Sequence, residues 1–123
     1  MSFAASDAVG FVLHTAITGL STRQEVIADN IANVDTPGFR ARSVEFESTL
    51  QRAIDRGRAT TSGPGALGIS VAATDTPVGA NDNNVDLRKE SIAAVQTQYQ
   101  YQIMGRAISD RHSRLSLMSG GAA

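Results

Sequence analysis

Apolar residues in the first third of the chain recur at two interleaved positions of a seven-residue repeat. Phe3, Gly10, Ile17, Gln24 and Ile31 form one row, and Ser6, Leu13, Leu20, Ile27 and Val34 form the other. This is the spacing of a helix seam, weakened at Ser6, Gly10 and Gln24. It predicts a helix from about Asp7 to Asn33, roughly 40 Å long at ~1.5 Å per residue. Such a stripe needs a covering surface, because an amphipathic helix draws most of its stability from tertiary packing. His14 flanks the seam and reads as a partly exposed helix residue.

In "SVEFESTLQRAIDRG", Phe46, Leu50 and Ile54 fall four apart on one face, with Ser43 placed as N-cap. Glu45 and Glu47 suit the first turn, Arg52 and Arg56 the last, and Gly57 a C-terminal cap. A short helix from Val44 to Arg56 is expected. From residue 57 to 84 the chain turns to Gly, Pro, Thr, Ala and Asn, which predicts a flexible loop. Within it "ALGISVAAT" carries a weaker strand-like pattern. "NNVDLRKESIAAVQTQYQYQIMGRAISDRHSRLSLM" then predicts a second long helix, with Asp86 as N-cap and Gly120 and Gly121 beyond its end. The alternation in "QTQYQYQ" has strand period, but its flanks and the helix propensity of Gln favour helix.

At ~100° per residue this helix has two apolar faces. Ile92, Val95, Tyr99 and Ile103 gather on one, and Tyr101, Met104, Ile108 and Leu115 on nearly the opposite one. One partner helix from the same chain can cover only one of them, so the other calls for another subunit.

Between the first two helices, "IADNIANVDTPGFRAR" marks a sharp change of direction. Pro37 disfavours helical geometry at Thr36, so the long helix ends by Asp35. Pro37 and Gly38 fit the central positions of a type II turn, where Gly supplies the positive φ. Asp35 and Thr36 can satisfy loose backbone groups at the helix end, and Phe39 follows as an apolar anchor. Asn30 and Asn33 lie beside Ile27 and Ile31, where their amides either fix register against a neighbouring helix or face solvent.

Composition narrows the function classes. The 123 residues fit one domain. Aromatics make up only 5% and Trp is absent, so a well-filled private core is not expected. A net charge of −1 gives no electrostatic case for nucleic acid. The arginines of "GRAISDRHSRL" spread around the helix rather than clustering, which argues against a nucleic-acid-binding regulator. Without cysteine there are no disulfides, thiolate nucleophiles or cysteine zinc sites. Two histidines and no nucleophile-elbow or phosphate-loop pattern supply no equipment for an enzyme, and no catalytic residue, metal or cofactor is expected. The first twenty residues lack a basic n-region, so no cleavable secretory signal is expected, and no run is long enough to span a bilayer.

"NIANVDTPGFRAR", with "VEFESTLQRAI" behind it and "NNVDLRKE" ahead of the last helix, closely resembles bacterial flagellar basal-body rod proteins of the small proximal-rod type. The resemblance implies an all-α fold, in which long N- and C-terminal helices pair as a coiled coil beside a short middle helix and a flexible Gly/Pro-rich loop. It divides the chain into an N-terminal assembly helix (1–34), a turn motif with the short helix (35–56), the loop (57–84), and a C-terminal assembly helix with its tail (85–123), together one structural domain. It implies a structural subunit of the periplasmic rod that polymerises through its terminal helices, transmits torque and lines the export channel. Its partners would be copies of itself, other rod proteins, the rod-to-ring adaptor, the membrane ring and the flagellar export apparatus.

On this reading Asn30, Ile31, Ala32, Asn33, Asp35, Thr36, Pro37, Gly38 and Phe39 form an assembly motif. Leu13, Ile17, Leu20, Ile27, Ile92, Val95, Tyr99, Tyr101, Ile103, Met104 and Ile108 form the seam and the packing between subunits. The alternative is a needle or inner-rod subunit of another type III secretion apparatus. There the turn of the hairpin lies between its two helices, whereas Asp-Thr-Pro-Gly-Phe here follows the first.

Overall fold

The computed structural model describes residues 3–56 and 69–120. Helix α1 (Phe3–Ala32) is followed by strand β1 (Arg42–Glu45), helix α2 (Glu47–Asp55), strand β2 (Ser70–Ala73), a 3-10 turn (Ala80–Asp82) and helix α3 (Leu87–Gly120). The frame is helical, as expected. "QTQYQYQ" is helical throughout, and no described helix is long and apolar enough to cross a membrane.

The most extensive packing joins α1 to α3. Gln24 Nε2 donates to Gln98 Oε1 at 2.9 Å. A methyl group on Gly10 would stand 3.2 Å from Arg111 Nη1. The two helices therefore run antiparallel, and two of the three weak places in the seam meet polar groups of α3 instead of leaving holes. Leu20 and Ile27 are buried, while Leu13 and Ile17 are half-buried. On α3, Tyr101, Met104 and Ile108 are half-buried, and the polar Glu90 and Thr97 are buried on the same side.

A second layer covers the adjacent face of α1. Ala16, Leu20 and Val26 meet Val44, Phe46 and Leu50, with Val12, Ile69, Tyr101 and Met104 packed around them. Phe46 lies so close to α1 that a Cβ at Gly19 would fall 2.4 Å from its ring. Gly19 is thus a packing requirement, where the chain of α1 must approach an aromatic face. Arg23 closes this cluster from outside. Its guanidinium lies 5.0 Å from the Phe46 centroid, donates to the Val44 carbonyl at 2.9 Å, and pairs with Glu47 at 2.5 Å.

Three sequence expectations need correction here. The short helix begins at Glu47, and Ser43 lies in β1 and caps nothing; Glu45 Oε1 instead accepts from the Ser48 N–H at 3.1 Å. Val44 and Phe46 are buried while Ser43, Glu45 and Glu47 are exposed, the period of a strand and not of a helix. Consequently Ala53, not Ile54, is the inward residue of the last turn of α2, and Ile54 is exposed.

Part of the stretch expected as a flexible loop carries regular structure, β2 and the 3-10 turn. β2 pairs antiparallel with β1 in the register Arg42↔Ala73 and Val44↔Val71. Ladder hydrogen bonds of this kind outweigh a composition that promises little burial. Residues 57–68, with the proposed Gly57 cap, lie outside the described residues.

The third correction concerns the end of α3, which runs through Gly120. Leu115, grouped by spacing with Tyr101, Met104 and Ile108, is exposed there. Asp86 does cap the start of α3, its Oδ1 accepting from the Lys89 N–H at 3.1 Å.

Candidate functional site

The segment after α1 is where the chain must join the end of one long helix, the β-layer and the start of the other. Gly38 has φ +76°, and the Phe39 N–H donates to the Thr36 carbonyl at 3.2 Å. With Pro37 at the second position this is the type II turn that the sequence demands. Asp35, Thr36, Pro37 and Gly38 are exposed, and Phe39 is half-buried as the chain turns inward.

Four asparagines hold this turn in place. Asn30, at 0% exposure, donates from Nδ2 to the Arg42 carbonyl at 2.7 Å and accepts at Oδ1 from the Arg42 N–H at 3.1 Å. It meets β1 as a neighbouring strand would, satisfying both backbone groups of one residue. Its amide is therefore engaged within its own chain and neither faces solvent nor reaches a neighbouring helix. Asn33 Nδ2 donates to the Asp29 carbonyl at 2.8 Å, and its Oδ1 accepts from Thr36 Oγ1 at 3.0 Å, which closes the C-terminus of α1.

Asn83 and Asn84, both buried, come from the segment just before α3. Asn83 Nδ2 donates to the carbonyls of Asn33 and Thr36, each at 2.8 Å, while its Oδ1 accepts from the Val85 N–H at 2.8 Å. Asn84 Oδ1 accepts from the Ala41 N–H at 2.6 Å, and its Nδ2 donates to the Thr76 carbonyl at 3.2 Å. The Gly38 N–H donates to the Asn81 carbonyl at 2.8 Å. Arg40 reaches the same turn, pairing with the Asp82 carboxylate at 2.6 Å and donating to its carbonyl oxygen.

Asn81 and Asp82 both adopt positive φ, 60° and 57°, in the left-handed region that Asn and Asp enter more readily than other non-glycine residues. The Gly38 hydrogen bond and the exposed Arg40 contacts fasten this turn to the one after α1. Asp29 and Arg42 add an exposed ion pair at 3.0 Å, worth little by itself.

Asn83 and Asn84 were absent from the predicted motif. The available signal was the run "NDNN" immediately before a helix cap, which reads as simple turn composition until the turn after α1 is placed against it.

The remaining predicted residues sort by face. Ile31 is half-buried and Ala32 exposed at the end of α1. On the outward side of α3, Ile92, Val95, Tyr99 and Ile103 are 54%, 71%, 66% and 44% exposed. The expected two-faced helix is thus present, with one face closed by α1 and the other open.

Comparison with known proteins follows the same elements. The family described as "Flagella basal body rod protein" matches residues 12–40, from within α1 through the turn to Arg40. The chain is 31% identical to flagellar basal body rod protein FlgB of Bacillus subtilis over 118 residues, covering 89% of this chain and 92% of that relative. It is 34% identical to FlgB of Escherichia coli over 106 residues, 71% of this chain and 75% of the relative. It is also 34% identical to FlgB of Borreliella burgdorferi over 108 residues, 74% and 80% respectively. The family match runs from the α1 seam through the turn at Pro37 and Gly38, the relatives are matched over most of the chain, and the chain belongs to the FlgB family of flagellar basal body rod proteins.

Proposed function

We propose that this chain is a structural subunit of the proximal rod, which polymerises through α1 and α3 so that the rod can transmit torque and enclose the export channel. The observation that carries this reading is the row Ile92, Val95, Tyr99 and Ile103, largely exposed on the outward side of α3. Fully burying a large apolar side chain is worth roughly 1.5–3 kcal/mol. A contiguous row of four held in water is the mark of an interaction surface. Copies of the chain and other rod proteins are the partners that such a row suits.

The asparagine joint has a preparatory role in this reading. By fixing the end of α1, the β-layer and the start of α3 as one unit, it sets the direction of the helix pair before a neighbour arrives. Residues Asn30 to Phe39 act in assembly through this geometry, with Asp35 to Gly38 presented on the surface. Further partners on this reading are the rod-to-ring adaptor, the membrane ring and the export apparatus that delivers the chain to the periplasmic rod.

Deletion of the gene tests the proposal. Deletion cells are expected to grow normally, lack hook and filament, and regain swimming when the chain is resupplied. Swimming deletion cells would overturn it.

A further inference from the structure

Helix α3 has two faces with which it could meet α1. The seam it uses runs through Glu90, Ala94, Thr97, Tyr101, Met104 and Ile108, spaced alternately four and three apart and all buried or half-buried. The outward row Ile92, Val95, Tyr99 and Ile103 lies roughly half a turn away at ~100° per residue.

In the first half of α3 the face left in water is the more apolar one. Glu90, Ala94 and Thr97 point inward there, while Ile92, Val95 and Tyr99 point outward, and Glu90 is buried with no ion pair among the described residues. Hydrophobic burial alone would turn this half the other way. The second half favours the observed rotation, since Tyr101, Met104 and Ile108 lie opposite the exposed Arg106 and Asp110. One continuous helix has a single rotation, so its two halves disagree over which face to bury.

What decides between them is fixed before the helix begins. Asp-Thr-Pro occurs twice in the chain, at residues 35–37 and 75–77, and the threonine carbonyls of the two accept from the consecutive asparagines Asn83 and Asn84. Asn83 also donates to the Asn33 carbonyl, and Asn84 accepts from the Ala41 N–H, so this strap is anchored on two sides. Both side chains are buried. Asn83 Oδ1 accepts from the Val85 N–H, and Asp86 Oδ1 from the Lys89 N–H, which carries the constraint into the first turn of α3. Only Val85 and Asp86 separate the strap from Leu87, where the helix starts. A helix grown from a fixed backbone origin has a fixed rotation, because each residue adds ~100°.

We infer that Asn83 and Asn84 select the face of α3: they hold it in the rotation that keeps Ile92, Val95, Tyr99 and Ile103 in water. Without them α3 rolls by roughly half a turn and buries that row against its own α1. The selection is made within one chain and does not depend on which partner later covers the row.

The chain contains no cysteine, so single cysteines report the two faces without background. Val95→Cys and Thr97→Cys, at positions 71% and 2% exposed, are each made in the full chain and in an Asn83→Ala, Asn84→Ala background. Rates of maleimide labelling are measured on the purified proteins beside their helicity. With the native strap Val95→Cys labels the faster. In the double variant the order is expected to invert at unchanged helicity, and adding Glu90→Leu, which makes the inward face more apolar, should restore it. An unchanged order in a helical double variant would overturn the inference, because Tyr101, Met104 and Ile108 would then set the rotation alone. Equal, fast labelling at both sites would overturn it too, since the strap would attach α3 without orienting it. So would an inverted order that Glu90→Leu leaves inverted. Where the double variant loses its helicity, Asn84→Ala alone, with Asn83 in place, is read the same way. Loss of helicity there as well would overturn the inference in favour of a strap that the whole fold requires.

Discussion

Asn30 closes both amide atoms on the backbone of Arg42, donating to its carbonyl and accepting from its N–H, at a position with no solvent exposure. Replacing it by Ala leaves the part-buried N–H and carbonyl of Arg42 without these partners, a loss on the order of 1 kcal/mol or more. Asn30→Asp keeps the acceptor but sets a carboxylate against the Arg42 carbonyl, and is expected to cost more. Amide exchange at Arg42 is the local readout, and should accelerate in both variants ahead of the α1 amides near Leu20. Unchanged protection would mean that β1 is held without Asn30.

Gly19 and Phe46 share a space that admits no side chain on α1. Gly19→Ala forces the ring or the helix to move and should destabilise by about 1–3 kcal/mol despite the better helix propensity of Ala. Trimming the partner relieves the clash, so Gly19→Ala with Phe46→Leu should lose less than the sum of the two single changes. A denaturation cycle measures this, and simple additivity would show that the two positions are independent.

At Gly38 the positive φ is the whole constraint, since no atom lies within 4 Å of where a Cβ would be. The Cβ of Gly38→Val meets no neighbour, so its main cost is that of the left-handed backbone region, which is greater for a β-branched residue. Because the turn positions the joint, this variant and Pro37→Ala should lower the amount found in basal bodies more than the amount exported. Equal loss of both, measured by fractionation and immunoblotting, would contradict a role confined to assembly.

Partial burial pushes the Glu47 carboxyl upward, but the Arg23 hydrogen bond, the N–H donors of Glu47 and Phe46, and the Arg23 charge outweigh it and hold it below its ordinary value of 4.5. A carboxyl lowered in the folded state adds stability above its unfolded pKa and loses it as pH falls through the folded value. The stability difference between the native chain and Glu47→Gln should therefore be constant from neutral pH down to about 5 and shrink below 4.5. A difference that grows on acidification would reverse the sign.

Much of the helical frame was legible because its signal is periodic. Leu20 and Ile27 recur as a seam wherever α1 is drawn, and Ile92 to Ile103 form a row on any helix through them. β1 was misread because Phe46, Leu50 and Ile54 imitate a helix face, while the shorter alternation Val44–Phe46 is the one that packing uses. The joint was half legible. Pro37 and Gly38 impose a turn through their own backbones, so the local sequence specifies it. Asn83 and Asn84 act on carbonyls and amides more than forty residues away, and nothing local distinguishes an asparagine that finds such partners from one left in water.

The central claim is that the outward row of α3 contributes to assembly and not to the fold of the single chain. The most direct measurement compares the native chain with the double variant Val95→Glu, Tyr99→Glu in two assays: helicity and melting of the purified protein, and incorporation into basal bodies. The account predicts the same helicity, a melting temperature within a few degrees, and loss of incorporation and swimming. Normal rods and swimming with two glutamates in the row, or a purified variant that no longer folds, would contradict it.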